Sequence, residues 1–348
     1  MLLMGNESSG WAALPEFNRS EAEDGRSGAG PEAVVVPVVF GLIFVVGVVG
    51  NSLVMVVIGR VSPTNIFILN LSVADLLFLL FCVPFHATIY SLPEWVFGGF
   101  LCKFGHFFSS ASMLVSIFTL VAMSADRYIA VVRSGKSPCV RSRRNALAGV
   151  CIIWMLSLLC SVPVAQHQVL TSHPSAPNST FCWEQWSGAS RPLYRVTFLL
   201  IGFLLPLLTV TVLIHTVCFS FQVLFHLHKK MKNMSKKSER SKRKTAQTVL
   251  LVVTAFTICW MPHHIIAMWV EFGTFPLNNA SFAFRIVSHV FSYGNSCINP
   301  VLYAFLSENF RKACRQVFTC HFLYPPPPGK VVRFRMENFS STHSTTNI

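Results

Sequence analysis

The chain has 348 residues, of which 52% are hydrophobic and only 12% are charged. Soluble domains carry about 25% charged residues, so this composition excludes a disordered or fibrous protein and predicts that lipid surrounds most of the fold. In a soluble protein, the net charge of +14 would suggest a nucleic-acid partner. In so apolar a chain it is better explained by membrane topology, and we expect no nucleic-acid partner.

Seven apolar stretches of the chain are long enough to cross a bilayer as helices, which takes about 20 mostly apolar residues. They are continuous and lack the two-residue alternation of barrel strands, so we expect helices rather than a barrel. The predicted fold class is an all-α membrane protein, a seven-transmembrane helix bundle over residues 34–305. The predicted spans are residues 34–58, 65–90, 102–132, 144–166, 193–225, 245–271 and 283–305.

Basic residues predict the orientation of this bundle. If the N-terminus is outside, 22 Lys and Arg residues lie on the cytoplasmic side and six on the outer side, which is the usual bias of membrane proteins. Residues 1–33 then form an extracellular tail in which Asn6 and Asn18 are predicted glycosylation sites, as is Asn178 in the second outer loop. We expect a multi-pass protein of the plasma membrane with a cytoplasmic C-terminus.

The cytoplasmic segments suggest further partners. The basic loop 228–247 suits both a G-protein-facing helix extension and an anchor to anionic membrane lipid. Residues 306–320 predict a short amphipathic eighth helix on the membrane surface, with Cys320 as a palmitoylation site. Residues 321–348 are predicted to be a disordered cytoplasmic tail. Its Ser and Thr residues suit phosphorylation and arrestin binding, or are simply a polar chain end.

Two cysteines are predicted on the oxidising side of the membrane. Cys102 opens the third span, and Cys182 lies in the second outer loop. No other cysteine is predicted on that side to compete for either of them. We therefore expect a disulfide that fixes the loop to the top of the third helix, above the mouth of the bundle.

Asp75 lies midway along the second span, where an ionisable side chain is costly and usually functional. Several polar residues of other spans are its expected neighbours. The group predicts either a Na⁺ pocket with oxygen ligands or a structural network that shares protons, and the sequence does not favour one over the other. No other cofactor is expected. The neighbours are Asn51, Ser116, Asn295, Ser296 and Asn299.

Two kinds of motif predict a bundle that changes shape. Asp126-Arg127-Tyr128 ends the third span, where Arg127 can pair with Asp126 or, when released, hold an inserted partner. A simple positive anchor at the membrane surface explains the same residues. Prolines inside spans remove a helix hydrogen bond and introduce kinks. They include Pro206, Pro262 beside Trp260, and Pro300 in the motif Asn299-Pro300-Val301-Leu302-Tyr303.

The seven spans and their motifs resemble the rhodopsin-like G-protein-coupled receptors. The order and spacing of the motifs extend this resemblance over nearly the whole chain. The matching residues are Gly50-Asn51, Leu71-Ser72-Val73-Ala74-Asp75-Leu76, Asp126-Arg127-Tyr128, Trp154, Pro206, Cys259-Trp260-Met261-Pro262, Asn299-Pro300-Val301-Leu302-Tyr303 and the pair Cys102 and Cys182.

Further segments resemble the galanin receptors, type 1 in particular. The resemblance implies a receptor rather than an enzyme, with the neuropeptide galanin as its ligand. It also implies that inhibitory Gi/o proteins, which lower cAMP, receive the signal, and that receptor kinases and arrestin are further partners. A receptor for another neuropeptide, of the somatostatin, opioid or allatostatin type, is the alternative. The segments include Phe181-Cys182-Trp183-Glu184-Gln185-Trp186 and Pro262-His263-His264-Ile265-Ile266.

The resemblance also implies which residues contact the ligand. They lie at the outer ends of the spans, where aromatic anchors with a few polar partners suit a peptide. His264 and Glu271 are seven residues apart, so they share one face of the sixth helix. Ligand contact is favoured for His264, Glu271 and Phe282, and is weighed evenly against a structural role for His263, His106 and Phe107.

The implied activation machinery connects this outer region with the cytoplasmic face. Ligand contact is expected to favour an outward swing of the inner part of the sixth helix, after which Arg127 receives the C-terminus of Gα. The residues implied to repack between the two sites are Trp260, Phe256, Ile117 and Pro206.

Single positions narrow the ligand class and mark departures from the family. Amine receptors of this family carry an Asp where this chain has Ser109, so no salt bridge to a small amine is expected. Opsins carry a Lys where it has Tyr293, so retinal cannot form a Schiff base. Galanin receptors carry an aromatic residue at the position of Ser109 and a His at that of Ala267, so we expect the pocket to differ in detail.

Overall fold

The computed structural model describes residues 32–58, 62–92, 94–133, 137–173, 176–228, 236–276, 278–306, 310, 311, 314 and 315. Asn6, Asn18, Cys320 and the tail 321–348 lie outside the described residues, so what the sequence predicts for them stays a prediction. The same holds for the side chains of Asn178 and Tyr303.

Seven long helices make up most of the described residues, in agreement with the predicted all-α bundle. They are α1 (Glu32–Val57), α2 (Pro63–Ser91), α3 (Gly98–Val131), α4 (Arg143–His167), α5 (Ser190–Leu199, Leu200–Leu204 and Leu205–His228), α6 (Lys236–Phe272) and α7 (Asn279–Leu306). Helix α3 is central and packs against α2, α4, α5 and α6, while α1 packs against α2 and α7. Among the described residues, α1 to α6 contain stretches long and apolar enough to cross a membrane, whereas polar residues such as Ser288, Ser292 and Asn295 are spread along α7.

Serine caps explain where α2 and α4 begin. Ser62 Oγ accepts a hydrogen bond from the backbone N–H of Asn65 at 3.2 Å, and Pro63 occupies the first turn, where its missing N–H removes no helix bond. Ser142 caps α4 in the same way, through the N–H of Asn145 at 3.1 Å. Both helices therefore start at the end of the bundle where α3 finishes.

Helix α5 contains a π turn at Leu200–Leu204, just before Pro206. Because Pro206 has no backbone N–H, the carbonyl of Gly202 loses its α-helical partner, and the wider turn relieves this. Gly202 also lies close to α3: a Cβ atom there would sit 2.9 Å from Leu114. The irregular part of α5 thus packs directly on the central helix.

The main core lies between α3, α5 and α6. Ile117 is 0%, Phe256 1% and Trp260 6% exposed, and Pro206 is buried as well. Large apolar side chains on other faces remain exposed, among them Leu42 on α1. Such exposed apolar faces are what a helix bundle presents to lipid.

A two-stranded antiparallel sheet connects α4 to α5, where the sequence predicted only a loop. Its strands are β1 (Gln168–His173) and β2 (Ala176–Glu184). Their residues alternate too weakly in polarity to identify strands, and the hairpin depends on backbone pairing and on a disulfide. The predicted bond between Cys102 and Cys182 is confirmed, with Cα atoms 5.6 Å apart. It holds β2 against the first turns of α3.

The predicted eighth helix is described at residues 310, 311, 314 and 315, all of them helical. Phe310 is buried in the main core, and Cys314 packs against the same cluster. Burial raises the pKa of the Cys314 thiol, which makes it a weaker nucleophile at neutral pH. The apolar side of this segment therefore faces the bundle.

Candidate ligand cavity and coupling site

A cavity of about 230 Å³ lies at the end of the bundle that carries the hairpin. Helices α2, α3, α5, α6 and α7 supply most of its wall, and β2 covers part of it. The described lining contains a single acid, Glu184, which is paired with Arg195. The wall includes Phe78, His86, His106, Ser109, Tyr194, Arg195, Phe198, Trp260, His263, Arg285, His289 and Tyr293.

Four histidines from four helices meet in this cavity. The ring centroid of His86 lies 5.7 Å from that of His106 and 5.9 Å from that of His289. The ring centroids of His289 and His263 are 6.2 Å apart. His86 Nδ1 is 3.0 Å from the carbonyl of Cys82, and because a carbonyl only accepts, this nitrogen carries the proton. Within the described residues, no group of three or more His, Cys, Asp or Glu side chains is arranged to hold a metal ion.

Two of the six predicted ligand residues, His106 and His263, line the cavity. Phe107 and Phe282 are half-buried and lie outside its lining. Phe107 follows His106 directly, and neighbouring residues on a helix point about 100° apart. Ser109, the first departure from the galanin receptor pattern, does line the cavity.

His264 and Glu271 share one face of α6, as their spacing predicts, but that face packs on α5. The His264 ring centroid is 4.5 Å from that of Phe203. Glu271 forms an ion pair with Arg191 near the start of α5, at 3.2 Å. Ala267, the second departure, is buried on α6 outside the cavity lining. This part of the predicted ligand set therefore joins two helices.

The sequence patterns did not identify several residues of the cavity wall. The sequence does contain a signal for His86 and His289, because a polar ring inside a predicted span is as unusual as a carboxylate there. The two arginines were counted only as outer charges, since nothing local shows that they turn inward. The residues missed are His86, His289, Tyr194, Arg195 and Arg285.

Trp260 connects the cavity to the main core. Its ring centroid lies 5.9 Å from that of His263 and 6.0 Å from that of Phe256. Phe256 in turn lies 6.4 Å from Phe203 on α5. Pro262 follows Trp260 by two residues inside α6. A series of ring–ring contacts therefore connects the cavity wall to the α5–α6 interface.

The buried carboxylate of Asp75, which is 1% exposed, connects α2 to α7. It accepts hydrogen bonds from Ser296 Oγ at 3.0 Å and from Asn299 Nδ2 at 2.8 Å. Asn51 Nδ2 on α1 donates to the backbone carbonyl of Ser296 at 2.8 Å. The other predicted members of the group, Ser116 and Asn295, are also buried.

At the opposite end of the bundle, Asp126 accepts hydrogen bonds from three side chains. Arg127 Nη2 lies 2.5 Å and Thr64 Oγ1 2.8 Å from Oδ2. Arg141 is bidentate, with Nε 2.7 Å from Oδ1 and Nη2 3.2 Å from Oδ2. The pair of Asp126 with Arg127 was expected, whereas Thr64 and Arg141 come from distant segments that no local motif connects. Tyr128, the residue after Arg127, is half-buried.

Comparison with known proteins identifies the family. The "7 transmembrane receptor (rhodopsin family)" pattern matches residues 50–303. Galanin receptor type 1 of Homo sapiens is 57% identical over 328 residues, 92% of this chain and 91% of the relative. The same receptor of Mus musculus is 53% identical over 354 residues, 99% of each chain, and galanin receptor type 2 of Rattus norvegicus is 44% identical over 312 residues, 88% of this chain and 82% of the relative. The chain belongs to the rhodopsin family of seven-transmembrane receptors and, within it, to the galanin receptors.

Proposed function

We propose that this chain is a plasma-membrane receptor that binds the neuropeptide galanin at its outer cavity and activates inhibitory Gi/o proteins, which lowers cAMP. The observation that carries the proposal is the 57% identity to the human galanin receptor type 1 over 92% of the chain. A receptor for another neuropeptide is the second candidate. Ser109 and Ala267 favour it, because both depart from the galanin receptor pattern.

The cavity suits one end of a peptide rather than a whole peptide. Its volume of about 230 Å³ is below the roughly 300–1,000 Å³ of pockets that enclose a small molecule. One or two side chains fit, and the remainder of the peptide lies across the hairpin. Since Glu184 is already paired with Arg195, the described lining favours aromatic and hydrogen-bonding groups over an amine cation.

In this proposal the cavity faces the extracellular side and Asp126 faces the cytoplasm. The excess of 22 basic residues over six supports this orientation. The basic loop 228–247 and the eighth helix then lie against anionic lipid, with Cys320 palmitoylated. The tail 321–348 is phosphorylated by receptor kinases and binds arrestin.

The proposed mechanism is a shift between two states of the bundle. A peptide side chain above Trp260 changes its packing on Phe256, and α6 pivots near Pro262 so that its inner half swings outward. The bonds to Asp126 then open, and Arg127 holds the C-terminus of Gα. The contacts that change in the first and last steps, Trp260 with Phe256 and Arg127 with Asp126, are present among the described residues.

Binding and nucleotide exchange test the two parts of this proposal separately. In membranes that contain the full chain, unlabelled galanin should displace labelled galanin, while somatostatin, opioid and allatostatin peptides should not. Purified Gi should then exchange nucleotide on addition of galanin, and Gs should not. Binding of another of these peptides without galanin binding would establish the second candidate. Galanin binding with a response of Gs alone would refute the Gi/o assignment.

A further inference from the structure

A stack of three rings lies behind the α5 wall of the cavity. The Trp186 ring is centred 3.7 Å from that of His167 on α4, with an interplanar angle of 21°. The Trp186 ring is also centred 5.1 Å from that of Tyr194 on α5, with an interplanar angle of 27°. Trp186 lies outside the described lining of the cavity, whereas Tyr194 belongs to it. The stack therefore supports the wall from behind.

Hydrogen bonds connect the same tryptophan to the charged part of the wall. Trp186 Nε1 donates to Glu184 Oε1 at 2.6 Å, and Arg195 donates to the other oxygen of this carboxylate. The side chains of Glu184 and Arg195 are 15% and 19% exposed, and charge-assisted bonds in such partly buried places are strong. The orientation of Glu184 thus depends on one donor outside the cavity and one in its wall.

The backbone of Gln185, the residue before Trp186, is also bonded to His167. The N–H of Gln185 donates to the carbonyl of His167 at 2.8 Å. The carbonyl of Gln185 lies 3.0 Å from His167 Nδ1, which carries the proton because a carbonyl only accepts. The segment after β2 is therefore fixed to the end of α4 through both backbone polar groups of Gln185.

We propose that Trp186 is a positioning residue for the ligand cavity. By holding Glu184 on Arg195 and stacking on Tyr194, it sets the charge and the shape of the α5 wall without touching the ligand. The wall carries two guanidinium groups, Arg195 and Arg285, against one carboxylate. If Glu184 is displaced, its negative charge moves away from the two guanidinium groups, and the cavity becomes more positive. The inference rests on the proposed function only where galanin serves as the probe.

Two substitutions separate the stack from the hydrogen bond. W186F keeps a ring between His167 and Tyr194 but has no Nε1–H, whereas W186A loses both contacts. A hydrogen bond to a charged group is worth roughly a tenfold change in an equilibrium constant. We expect galanin affinity to fall roughly tenfold in W186F and further in W186A.

A double-mutant cycle on the full chain tests whether Trp186 acts through Glu184. Labelled galanin binding is measured in W186F, E184A and the double variant, with surface expression quantified for each. The double variant should bind no more weakly than E184A alone. The control cycle pairs W186F with H106A, which lines another wall, and should be additive. Additive losses in the first cycle, or wild-type affinity in W186F, would overturn the proposal.

A second measurement needs no peptide. In the S109C background, an anionic and a cationic methanethiosulfonate reagent react with the introduced thiol inside the cavity. The ratio of the anionic to the cationic rate should rise severalfold in E184A and to a smaller extent in W186F. If wild-type protein shows no displaceable galanin, the proposed function fails and this ratio alone decides the inference. An unchanged ratio in W186F refutes it.

Discussion

Asp75 is proposed to be either part of a Na⁺ site or part of a structural hydrogen-bond network, and the two hypotheses predict different results. An ionised carboxylate has about four lone-pair positions, and Ser296 and Asn299 occupy two of them. Na⁺ bound at the remaining positions would stabilise the resting bundle and lower galanin affinity. D75N removes the charge, so we expect the affinity to become independent of Na⁺. The measurement is labelled galanin binding in NaCl against choline chloride at equal ionic strength.

A purely structural network at Asp75 gives the opposite pattern. The wild-type receptor would then bind galanin equally in both salts, and D75N would only lower its thermal stability. Because the two salts have the same ionic strength, general screening of charges cancels from the comparison. Equal wild-type affinities would remove the Na⁺ proposal.

Arg141 is predicted to restrain the receptor in its resting state. It contacts both oxygens of Asp126, whereas Arg127 contacts one. R141A should raise nucleotide exchange without peptide roughly fivefold, since about 1 kcal/mol changes an equilibrium constant by that factor. The matched control is R144A, which removes the same charge from an exposed position nearby. Equal basal exchange in both variants would contradict this role.

Arg127 should respond in the opposite way to Arg141, because it is proposed to hold Gα rather than only to pair with Asp126. R127A should abolish galanin-stimulated nucleotide exchange while the outer cavity still binds the peptide. Both quantities are measured on the same membranes, which separates lost coupling from lost folding. Full stimulated exchange in R127A would remove this residue from the mechanism.

His263 and His264 show that residue type alone does not predict which side chain lines the cavity. Both are histidines at the outer end of the same span, and the spacing correctly indicates that they point in different directions. Which of them reaches the cavity depends on how α6 is rotated against α5. That rotation is set by contacts such as His264 with Phe203, which join residues about 60 positions apart and leave no local pattern.

At the scale of helices, Gly50 allows the close approach of α1 and α7. A Cβ atom at this position would lie 2.9 Å from Pro300 Cβ, and a proline ring cannot rotate away. G50A should therefore force the helices apart, and overpacking of this kind costs about 1–3 kcal/mol. We expect a lower unfolding temperature for G50A in detergent. It can be measured with a thiol-reactive dye that reports exposure of buried cysteines such as Cys82 and Cys259.

Gly41 on the same helix provides the matched control for this prediction. A Cβ atom there has no neighbour within 4 Å, so G41A makes the same chemical change without a collision. Its unfolding temperature should equal that of the wild type or exceed it slightly, because Ala favours helix over Gly. Equal temperatures for G50A and G41A would show that the α1–α7 contact tolerates a methyl group.

Helices were predictable from the sequence to different degrees. The seven spans follow from apolar length alone, although α6 begins at Lys236, nine residues before its predicted span, because a helix continues in polar residues beyond the apolar ones. The π turn at Leu200–Leu204 was not predicted, since Pro206 indicates an interruption but not its geometry. The hairpin was missed because the residues of its strands alternate too weakly in polarity to identify them.

At the scale of the whole molecule, the candidate sites are assembled from segments far apart in the chain. Asp126 gathers side chains from α2, α3 and the segment before α4, and the cavity wall draws on six helices and the hairpin. Motifs identified Asp126 in the first site and Trp260 in the second, because each motif is local. The partners depend on how the helices pack, which periodicity and composition do not specify.

The charge of +14 makes a prediction about the molecule as a whole. With 22 basic residues assigned to one side and six to the other, the N-terminus should be outside. An antibody should reach an N-terminal tag on intact cells and a C-terminal tag only after permeabilisation. Glycosidase should increase the gel mobility of the wild type but not of a variant without Asn6, Asn18 and Asn178. Asn338 begins a further sequon in the tail. If glycosidase still shifts the variant on the gel, and this shift disappears only when Asn338 is replaced, the C-terminus lies outside. The sides assigned to the cavity and to the coupling site would then be reversed.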